Sequence, residues 1–574
     1  MPAFSSKIRL LLIGFYLLGF YQGYGYTVVI SEIMADPYPA RGLPEVEWIE
    51  LTNISATMLN VGGFRIAKPG SVSGPLPALL LEPGQQLIVC STSALPLMQA
   101  FGKAVSITSF PSLGNAGDLL VLRGPQGQTM HAIDYSDGWY RNELKKNGGW
   151  SLEMIDLNVP CMGKENWQAS IDDRGGTPGR PNASMHPARD TWAPQLLHIF
   201  PLDSFHLRCV FGHSLDSMEN IHPLQFDVDH GIGPPSTVMI TPPLMKEAVL
   251  TIRSPLQRGK LYQVSCKEMS NCSGKMSSVQ SCMTGLPSGL KPGEVVINEI
   301  MTNPTPGSAD YVELYNASPY PVNLDNCHLA NRNDAGLVSN ISELQTGDRL
   351  LLPGGYAVFT EDSAAIIRNY RLQDKPIAIA NLFQVNDLPA YPDDKGNVIL
   401  TDQQGNLVDE VPYLDDWHHP LLVNTEGVSL ERIEASMPSP GASTWHSASS
   451  LSNYGTPGYR NSQAGLEDEQ TNRVNVYPAT ISPDNDGHDD YVTISFHLET
   501  PGTIMYLQVY SLGGALVRKP DHLQLNGREG KFTWDGLGSD RKRLPAGIYI
   551  LCVNWQDLQG HTYRKRFPVV VTKS

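Results

Sequence analysis

The chain has 574 residues, including 52 glycines and 44 prolines, and carries a formal net charge of −16. This acidic balance excludes broad nucleic-acid binding, which needs a basic footprint, and a hydrophobic fraction of 41% excludes a disordered chain. The length predicts about three to five domains, and a composition rich in glycine and proline favours short strands joined by turns.

Residues 1–25 have the pattern of a secretory signal peptide. Lys7 and Arg9 form a basic start, and an apolar run follows at residues 10–20. Gly23 and Gly25 are small residues at the positions −3 and −1, so we expect cleavage after Gly25. The apolar run is short for a membrane-spanning helix, which needs about 20 residues. The pattern therefore predicts an exported chain, secreted or held at the outer-membrane surface, and no later segment suits a membrane span.

Two long segments of the sequence are copies of each other. VVISEIMADP near the amino terminus returns downstream as VVINEIMTNP, and SLEMIDLNVP returns as SLERIEASMP. The offset grows from 267 residues, between Glu32 and Glu299, to 278, between Ser151 and Ser429, so the second copy has gained loop residues. An ordered internal repeat of this kind predicts two homologous domains.

Each copy has the pattern of an all-β domain, and we place the two domains at residues 26–184 and 290–463. An apolar strand, a proline-rich turn and a second strand (EWIEL or YVELY) open each copy. A Pro-Gly turn, another strand, a short helix at residues 94–102 or 363–370 and a hairpin follow. A tryptophan and a Thr-Pro-Gly turn close the copy. Roughly seven to nine strands in about 160 residues predict an immunoglobulin-like sandwich.

These motifs resemble those of the lamin-tail domain in its bacterial secreted form. The shared features are the ISEI or INEI opening, the EWIELTN or YVELYN strand, the DGW or DDW corner and the W…GTPG…N close. The resemblance covers most of both copies. It implies a β-sandwich used for binding or attachment, without intrinsic catalysis.

Residues 190–286, between the copies, have a different pattern. HLRCVFGHSLD alternates between apolar and polar residues, and AVLTIRSPLQRGKLYQVSC predicts two strands around a glycine turn. The order of these strands resembles a bacterial immunoglobulin-like module of surface-layer proteins. The resemblance implies a role in spacing and stiffness.

Eight cysteines lie in a chain for which we predict an oxidising compartment, where disulfides persist. Four of them are clustered and predict two bridges in any of three pairings, which the sequence leaves open. A zinc site is disfavoured because paired CxxC spacings are missing. The clustered cysteines are Cys209, Cys266, Cys272 and Cys282, and the scattered ones are Cys90, Cys161, Cys327 and Cys552.

A polar linker at residues 464–472 precedes a last predicted β domain at residues 473–574. Its segments SPDNDGHDD, VYSLGGALVR, WDGLGSD and LPAGIYIL resemble the immunoglobulin-like domain of the flagellar hook cap. Its position at the carboxyl end also resembles that of sorting domains of the type IX secretion system of Bacteroidetes. That resemblance implies recognition by secretion machinery at the outer membrane. The fold class predicted for the whole chain is all-β, with tandem immunoglobulin-like sandwiches.

The acidic loop of this last domain is the candidate metal site. Asp484, Asp486 and Asp490 place carboxylate oxygens near Gly487, which is the chemistry that calcium requires. The spacing differs from that of the EF-hand loop. An Asx-rich turn leading into the next strand is the alternative, and both interpretations stay open. We predict no other cofactor.

Candidate catalytic groups have plainer interpretations. The GHSLD segment at residues 212–216 lacks the closing glycine of a nucleophile elbow, and His418 with His419 has no equivalent in the first copy. Glu47, Glu50 and Glu313 have no partner at a predictable distance, so we expect strand-face acids bonded to backbone amides. The tryptophans at the corners and at the closes of both copies (Trp139, Trp167, Trp417 and Trp445) are predicted core residues.

These patterns favour a non-enzymatic protein that binds or adheres at the cell surface, or that scaffolds the cell envelope. The expected partners are a protein or polysaccharide ligand and the outer-membrane secretion machinery. The alternative is an extracellular hydrolase or an accessory subunit of one, acting on nucleic acid or glycan. All of the sequence after the signal is assigned to β domains, so no stretch of about 150 residues is left for a catalytic domain.

Overall fold

The structure, a computed structural model, describes residues 26–187, 192–216, 221–420, 422, 424–464, 472–484, 488–519 and 524–572. The predicted signal peptide lies outside these residues. The fold is all-β and consists of tandem immunoglobulin-like sandwiches, as predicted. The chain divides into two compact units. The first contains the described residues up to Ser254 together with Gln263–Cys282, and the second contains Pro255–Tyr262 together with the described residues from Met283 onward. No described helix is long and apolar enough to cross a membrane.

The first repeat, residues 26–184, contains two main sheets and one short α-helix among its described residues. Its six-stranded sheet has the order β12-β11-β1-β2-β7-β8, its four-stranded sheet the order β10-β9-β4-β5, and β3 pairs with β6. The helix α1 is Leu95–Met98, shorter than the predicted 94–102. The strands are β1 Val28–Met34, β2 Trp48–Asn53, β3 Leu59–Asn60, β4 Arg65–Lys68, β5 Ser71–Val72, β6 Leu80–Leu81, β7 Gln86–Cys90, β8 Ala104–Ser106, β9 Gly117–Arg123, β10 Thr129–Ser136, β11 Leu152–Met154 and β12 Trp167–Ala169.

Residues 192–286, the middle segment, form a smaller pair of sheets. Their orders are β13-β14-β17-β16 and β15-β18-β19. Core positions alternate along β14, where Leu207, Cys209 and Phe211 are buried, as the alternating sequence predicts. The strands are β13 Leu196–Pro201, β14 His206–Phe211, β15 Phe226–Val228, β16 Thr237–Thr241, β17 Glu247–Thr251, β18 Tyr262–Cys266 and β19 Gln280–Thr284.

The second repeat, residues 290–463, reproduces the first strand for strand in its main sheets. The orders are β29-β28-β20-β21-β24-β25 and β27-β26-β22-β23. The elements are β20 Val295–Met301, β21 Tyr311–Asn316, β22 His328–Arg332, β23 Val338–Glu343, β24 Tyr356–Thr360, α2 Ser363–Asn369, α3 Pro376–Ala380, β25 Leu382–Gln384, β26 Lys395–Thr401, β27 Leu407–Leu414, β28 Leu430–Arg432 and β29 Trp445–Ser447.

The C-terminal segment, residues 472–572, has two further sheets. One has the order β30-β32-β36, and the other has the order β31-β38-β37-β33-β34, with β35 paired to β33. The strands are β30 Arg473–Tyr477, β31 Thr480–Ile481, β32 Val492–His497, β33 Ile504–Ser511, β34 Leu516–Arg518, β35 Gln524–Leu525, β36 Glu529–Trp534, β37 Gly547–Gln556 and β38 Thr562–Val571.

The opening strand of each repeat is buried on both faces, which explains its continuous apolar sequence. All seven residues of β1 are buried, including Glu32, and the register with β2 shifts at a bulge between Ile30 and Glu32. One face of β1 packs in the core between the two sheets, while Met34 packs on the other side with Trp48 and Met98. The strand β20 has the same burial and the same bulge. This bulge places a glutamate of each repeat beneath the last residues of the domain.

Candidate functional site

The acids of the first repeat meet in one buried cluster on β1, β2 and β11. Glu32, Glu50 and Glu153 are each 0% exposed. Glu32 and Glu153 are cross-strand partners in register, and Glu32 also pairs with Glu50. Three carboxyl groups are therefore held together inside a domain, away from water, and they need hydrogen-bond donors from the protein itself.

The donors come from residues 176–184, the closing segment, which carries the GTPG motif. Thr177 N donates to Glu32 Oε1 at 2.8 Å, and Gly179 N donates to Glu50 Oε2 at 2.7 Å. Ser184 N donates to Glu153 Oε2 at 2.8 Å. Since each donor belongs to the end of the repeat and each acceptor to a core strand, the cluster fastens the closing segment onto the sheet.

The second repeat builds the same cluster with its own closing segment, residues 455–463. Thr456 N donates to Glu299 Oε1 at 2.9 Å, and Gly458 N donates to Glu313 Oε2 at 2.6 Å. Gln463 N donates to Glu431 Oε2 at 2.9 Å. Glu313 and Glu50 are thus bonded to backbone amides, as the sequence analysis predicted. Glu47 accepts a backbone hydrogen bond from Leu113 outside this cluster, and its carboxyl is half-buried.

An asparagine that follows the GTPG residues in each repeat also bonds the closing segment to the sheet. Asn182 Nδ2 donates to Ser31 O at 2.9 Å and to Met154 O at 2.8 Å. Asn461 Nδ2 makes the equivalent bonds, to Asn298 O at 3.0 Å and to Arg432 O at 2.8 Å. One amide group therefore ties the closing segment to two neighbouring strands in each repeat.

The threonine geometry favours at least one proton in each cluster. Thr177 Oγ1 lies 3.2 Å from Glu32 Oε2 and 2.9 Å from Glu153 Oε1. A hydroxyl has one proton to donate, so the second contact is a hydrogen bond only if that carboxyl is protonated and donates to Thr177. Thr456 Oγ1 bridges Glu299 and Glu431 in the same way, at 2.9 and 2.8 Å.

The surroundings of four of these carboxyl groups favour the neutral form. Burial, helped by the neighbouring carboxylates, holds the pKa of Glu32 and that of Glu313 well above the usual range. Burial raises the pKa of Glu50 to about 8 and that of Glu431 to about 8. The clusters are therefore structural clasps that resist ionisation, and they lie out of reach of a substrate.

We expect both repeats to lose stability as the pH rises from 7 to 8. A carboxyl with a raised pKa keeps its proton in the folded state while the unfolded chain has released it, so each pH step favours unfolding. For Glu50, with a folded pKa of about 8, the loss is about 1 kcal/mol over this interval. Calorimetry of the full chain should show a midpoint about 2–4 °C lower for the transition of the first unit.

The interval starts at pH 7 because the buried histidines act in the opposite direction below it. Burial lowers the pKa of His131 to about 4 and that of His418 to about 4. Their effect on the free energy of unfolding therefore lies between about pH 4 and the pKa of an unfolded histidine, about 6.5. Glu50→Gln should flatten the pH dependence of the first unit, whereas exposed Glu82→Gln should leave it unchanged. An equal slope in both variants would contradict the assignment.

A second buried polar site distinguishes the two repeats. At the bulge of β1, the Ile30 amide donates to His131 Nδ1 at 3.2 Å. At the bulge of β20, the Ile297 amide donates instead to Asp409 Oδ2 at 2.7 Å. Asp409 is also ion-paired with Arg432, whose guanidinium nitrogen lies 3.2 Å from Oδ2 and whose side chain is 0% exposed. The same backbone requirement is met by a neutral ring in one copy and by a buried ion pair in the other.

The cysteine prediction is wrong in its pairing. Cys272 of the middle segment forms a disulfide with Cys161 of the first repeat, at a Cα–Cα distance of 6.1 Å and a sequence separation of 111. Cys209, Cys266 and Cys282 are free thiols. Cys161 lies just before Trp167 in a loop that reaches the middle segment. The spacing of cysteines along the sequence does not show that these two segments are in contact.

The predicted calcium loop lies only partly within the described residues. Asp484 and Asp490 are described, whereas Asp486 and Gly487 are not. Ser482 N donates to Asp489 O at 2.9 Å, and Asp484 N donates to Ser482 O at 2.6 Å. Within the described ranges, no three His, Cys, Asp or Glu side chains are arranged around a metal position. Calcium binding by these three aspartates stays a prediction.

The other sequence candidates fall into structural positions. His418 and His419 lie in a loop, as expected, but His419 is buried and its amide donates to Ser447 Oγ at 2.8 Å. His213 stacks on Trp192, with ring centroids 5.8 Å apart, in the turn after β14. Trp167 and Trp445 are core residues, as predicted.

The first unit also contains a large cavity that the sequence analysis did not predict. Its volume is about 1030 Å³, and it lies beside β10, against residues 243–246 of the middle segment. The disulfide contributes both of its cysteines to the wall. Its charged lining residues are Asp134, Asp216 and Lys246. Residues from distant parts of the chain form it, so no local motif marks it.

Comparison with known proteins identifies one segment of the chain. Residues 290–415 match the family model of the Lamin Tail Domain. This match lies within the second repeat, whose buried acids Glu299 and Glu313 belong to the matched lamin-tail segment. No curated protein matches the chain significantly.

Several solved structures show a distant likeness. FlgD from P. aeruginosa is 25% identical over 14% of this chain and 62% of its own length, with a TM-score of 0.12. The N-terminal part of the bacterial S-layer protein SbsC is 18% identical, over 29% of this chain and 40% of its own length, with a TM-score of 0.16. PorZ, a surface component of the type IX secretion system of Porphyromonas gingivalis, is 12% identical, over 79% and 57%, with a TM-score of 0.15.

Proposed function

We propose that this chain is a non-enzymatic protein of the cell surface or extracellular space, which binds a partner or scaffolds the cell envelope. Its export depends on a cleaved signal. A spacer separates two lamin-tail domains, and a sorting or anchoring domain ends the chain. The proposed parts are a signal peptide at 1–25, lamin-tail domains at 26–184 and 290–463, a spacer at 190–286, a linker at 464–472 and a C-terminal immunoglobulin-like domain at 473–574.

The observation that carries this proposal is the role of the clustered carboxyl groups. General acid–base catalysis needs a titratable group that reaches the substrate. Glu299, Glu313 and Glu431 are each 0% exposed and are bonded to the protein's own closing segment. The first repeat uses its acids in the same way. The most perturbed carboxyl groups of both repeats thus hold the sandwich together, which supports a binding or scaffolding protein.

Contacts in the second unit support an anchoring role for the C-terminal segment. Gly502 N donates to Gln463 Oε1 at 3.0 Å, and Arg528 N donates to Ser462 O at 2.9 Å. Gln463 is 0% exposed. The closing segment of the second repeat is therefore also part of the contact with the C-terminal segment. A factor that binds the C-terminal segment would thereby also anchor the repeat.

The proposal predicts that residues 473–574 are needed for surface display. In the native host, the full chain should be cleaved by protease added to intact cells, whereas a chain ending at residue 472 should be protected in the periplasm. A reporter enzyme with a signal peptide and residues 465–574 should reach the surface, which separates sorting from a folding defect. Equal protease sensitivity of the full and shortened chains would refute this function for the segment.

A further inference from the structure

The large cavity of the first unit runs along one strand. Seven consecutive residues of its lining, Gln128 to Asp134, belong to β10 or directly precede it. Side chains of successive strand residues point to opposite faces of a sheet. An unbroken run of lining residues therefore means that the cavity lies along the edge of the strand, where backbone amides and carbonyls project.

This edge has no neighbouring strand among the described residues. β10 is the outermost strand of the sheet β10-β9-β4-β5, and its register is given entirely by pairing with β9. An unpaired edge presents a row of donors and acceptors that accept another strand. Seven residues of such an edge extend over about 23 Å, and 1030 Å³ is at the upper end of the volumes of small-molecule sites, about 300–1,000 Å³. The size and shape suit an extended chain better than a compact ligand.

Rigid apolar side chains border this edge. Tyr26 packs edge-on against His131, with ring centroids 5.7 Å apart, and Trp139 packs against the buried Trp167 at 6.3 Å. Both Tyr26 and Trp139 are half-buried and line the cavity, as does Met245. Side chains held in place in this way offer contact area with little further loss of conformational entropy.

One cation of the wall lacks a bonded partner. Lys246 is half-buried, and its ammonium has no hydrogen bond or ion pair within the described part of the chain. Burial lowers the pKa of Lys246, and the carboxylate of Asp134 counteracts this only through space. A partly desolvated ammonium gains from an acceptor or a carboxylate supplied by a ligand.

We propose that β10 binds an extended polypeptide segment of a partner protein as an added strand, with apolar side chains against Tyr26 and Trp139 and an acidic side chain at Lys246. Strand addition supplies affinity through the main chain, and the pockets for alternate side chains supply specificity. This inference names the partner class for the binding function proposed above and rests on it. The experiment below uses purified protein, so its outcome is independent of surface display.

The test is a selection of displayed random peptides of about ten residues against the purified full chain. Enriched peptides should alternate apolar and polar residues and carry an acidic residue at a fixed position. Synthetic versions with N-methyl groups at every second amide separate strand pairing from side-chain binding. Methylation in one phase should abolish binding in titration calorimetry, while methylation in the other phase should leave it unchanged.

Variants of Lys246 test the acidic position. Lys246→Ala should weaken binding of the selected peptides by at least about tenfold, and Lys246→Glu should shift the selection toward basic peptides. The matched control is Lys267→Ala, an exposed lysine of the same middle segment that does not line the cavity. Its affinity should equal that of the parent chain.

Three results would overturn the inference. The first is a selection without enrichment, and the second is equal loss of binding for both phases of N-methylation. The third is binding of neutral or uronate oligosaccharides in the cavity, lost in Trp139→Ala, without binding of any peptide. That result would assign the cavity to a glycan instead.

Discussion

Replacing Asp409 with alanine should lower the free energy of unfolding of the second repeat by about 3–5 kcal/mol, because it leaves a buried charge without its partner. The guanidinium of Arg432 is 0% exposed and donates to Ile297 O at 2.7 Å and to Met437 O at 2.9 Å. These carbonyls satisfy its donors but do not neutralise its charge. The Ile297 amide would also lose its acceptor. Calorimetry of the full chain measures the shift of the transition of the second unit.

The first repeat supplies a rescue variant. Its equivalents of Asp409 and Arg432 are His131, which accepts from the equivalent Ile30 amide, and the uncharged Met154. The double variant Asp409→His with Arg432→Met should recover more than half of the lost stability. Glu343→Ala, an exposed residue of the same repeat, should change stability by less than about 0.5 kcal/mol. A small loss in Asp409→Ala, within the range of that control, would show that the ion pair is dispensable.

Loss of the Cys161–Cys272 disulfide should destabilise the first unit by about 4–5 kcal/mol, since the bond closes a loop of more than a hundred residues in the unfolded chain. For a unit of this size the expected fall in the midpoint is on the order of 10 °C. The double variant Cys161→Ser with Cys272→Ser, followed by calorimetry, measures this effect.

Reductant gives the matched control for this experiment. Dithiothreitol should lower the midpoint of the parent chain to that of the double serine variant and should leave the variant unchanged. The transition of the second unit, whose Cys327 and Cys552 are free thiols, should be insensitive to both treatments. A parent chain whose first transition ignores reductant would contradict a stabilising disulfide.

The fold was predictable from the sequence because its signals are local and occur twice. The ISEI and INEI strands, the Pro-Gly turns and the closing tryptophans each specify a short element, and the second copy repeats them in the same order. The prediction that Glu50 and Glu313 are bonded to backbone amides was also correct, since acids within an apolar strand need donors from the backbone. These features are all determined by local patterns.

The features that local patterns do not show depend on contacts between distant segments. Cys161 is isolated in the sequence because its partner, Cys272, lies in another module. The cavity beside β10 is formed by residues 26–167 and 214–272 together. Asp409 takes the place of His131 in the second repeat, and its charge is compensated by Arg432, which takes the place of Met154. Pairing, enclosure and charge compensation are tertiary properties, so one sequence without its fold does not reveal them.

The clasp between Glu32 and Thr177 sets the order in which the first repeat can fold during synthesis. Its two halves are 145 residues apart, so the opening strand leaves the ribosome long before the segment that locks it. Until then, the carboxyl group of Glu32 is exposed to water and ionised. The clasp can form only after residues up to Asn182 have been added, so completion of the repeat, rather than of any one of its strands, closes the domain.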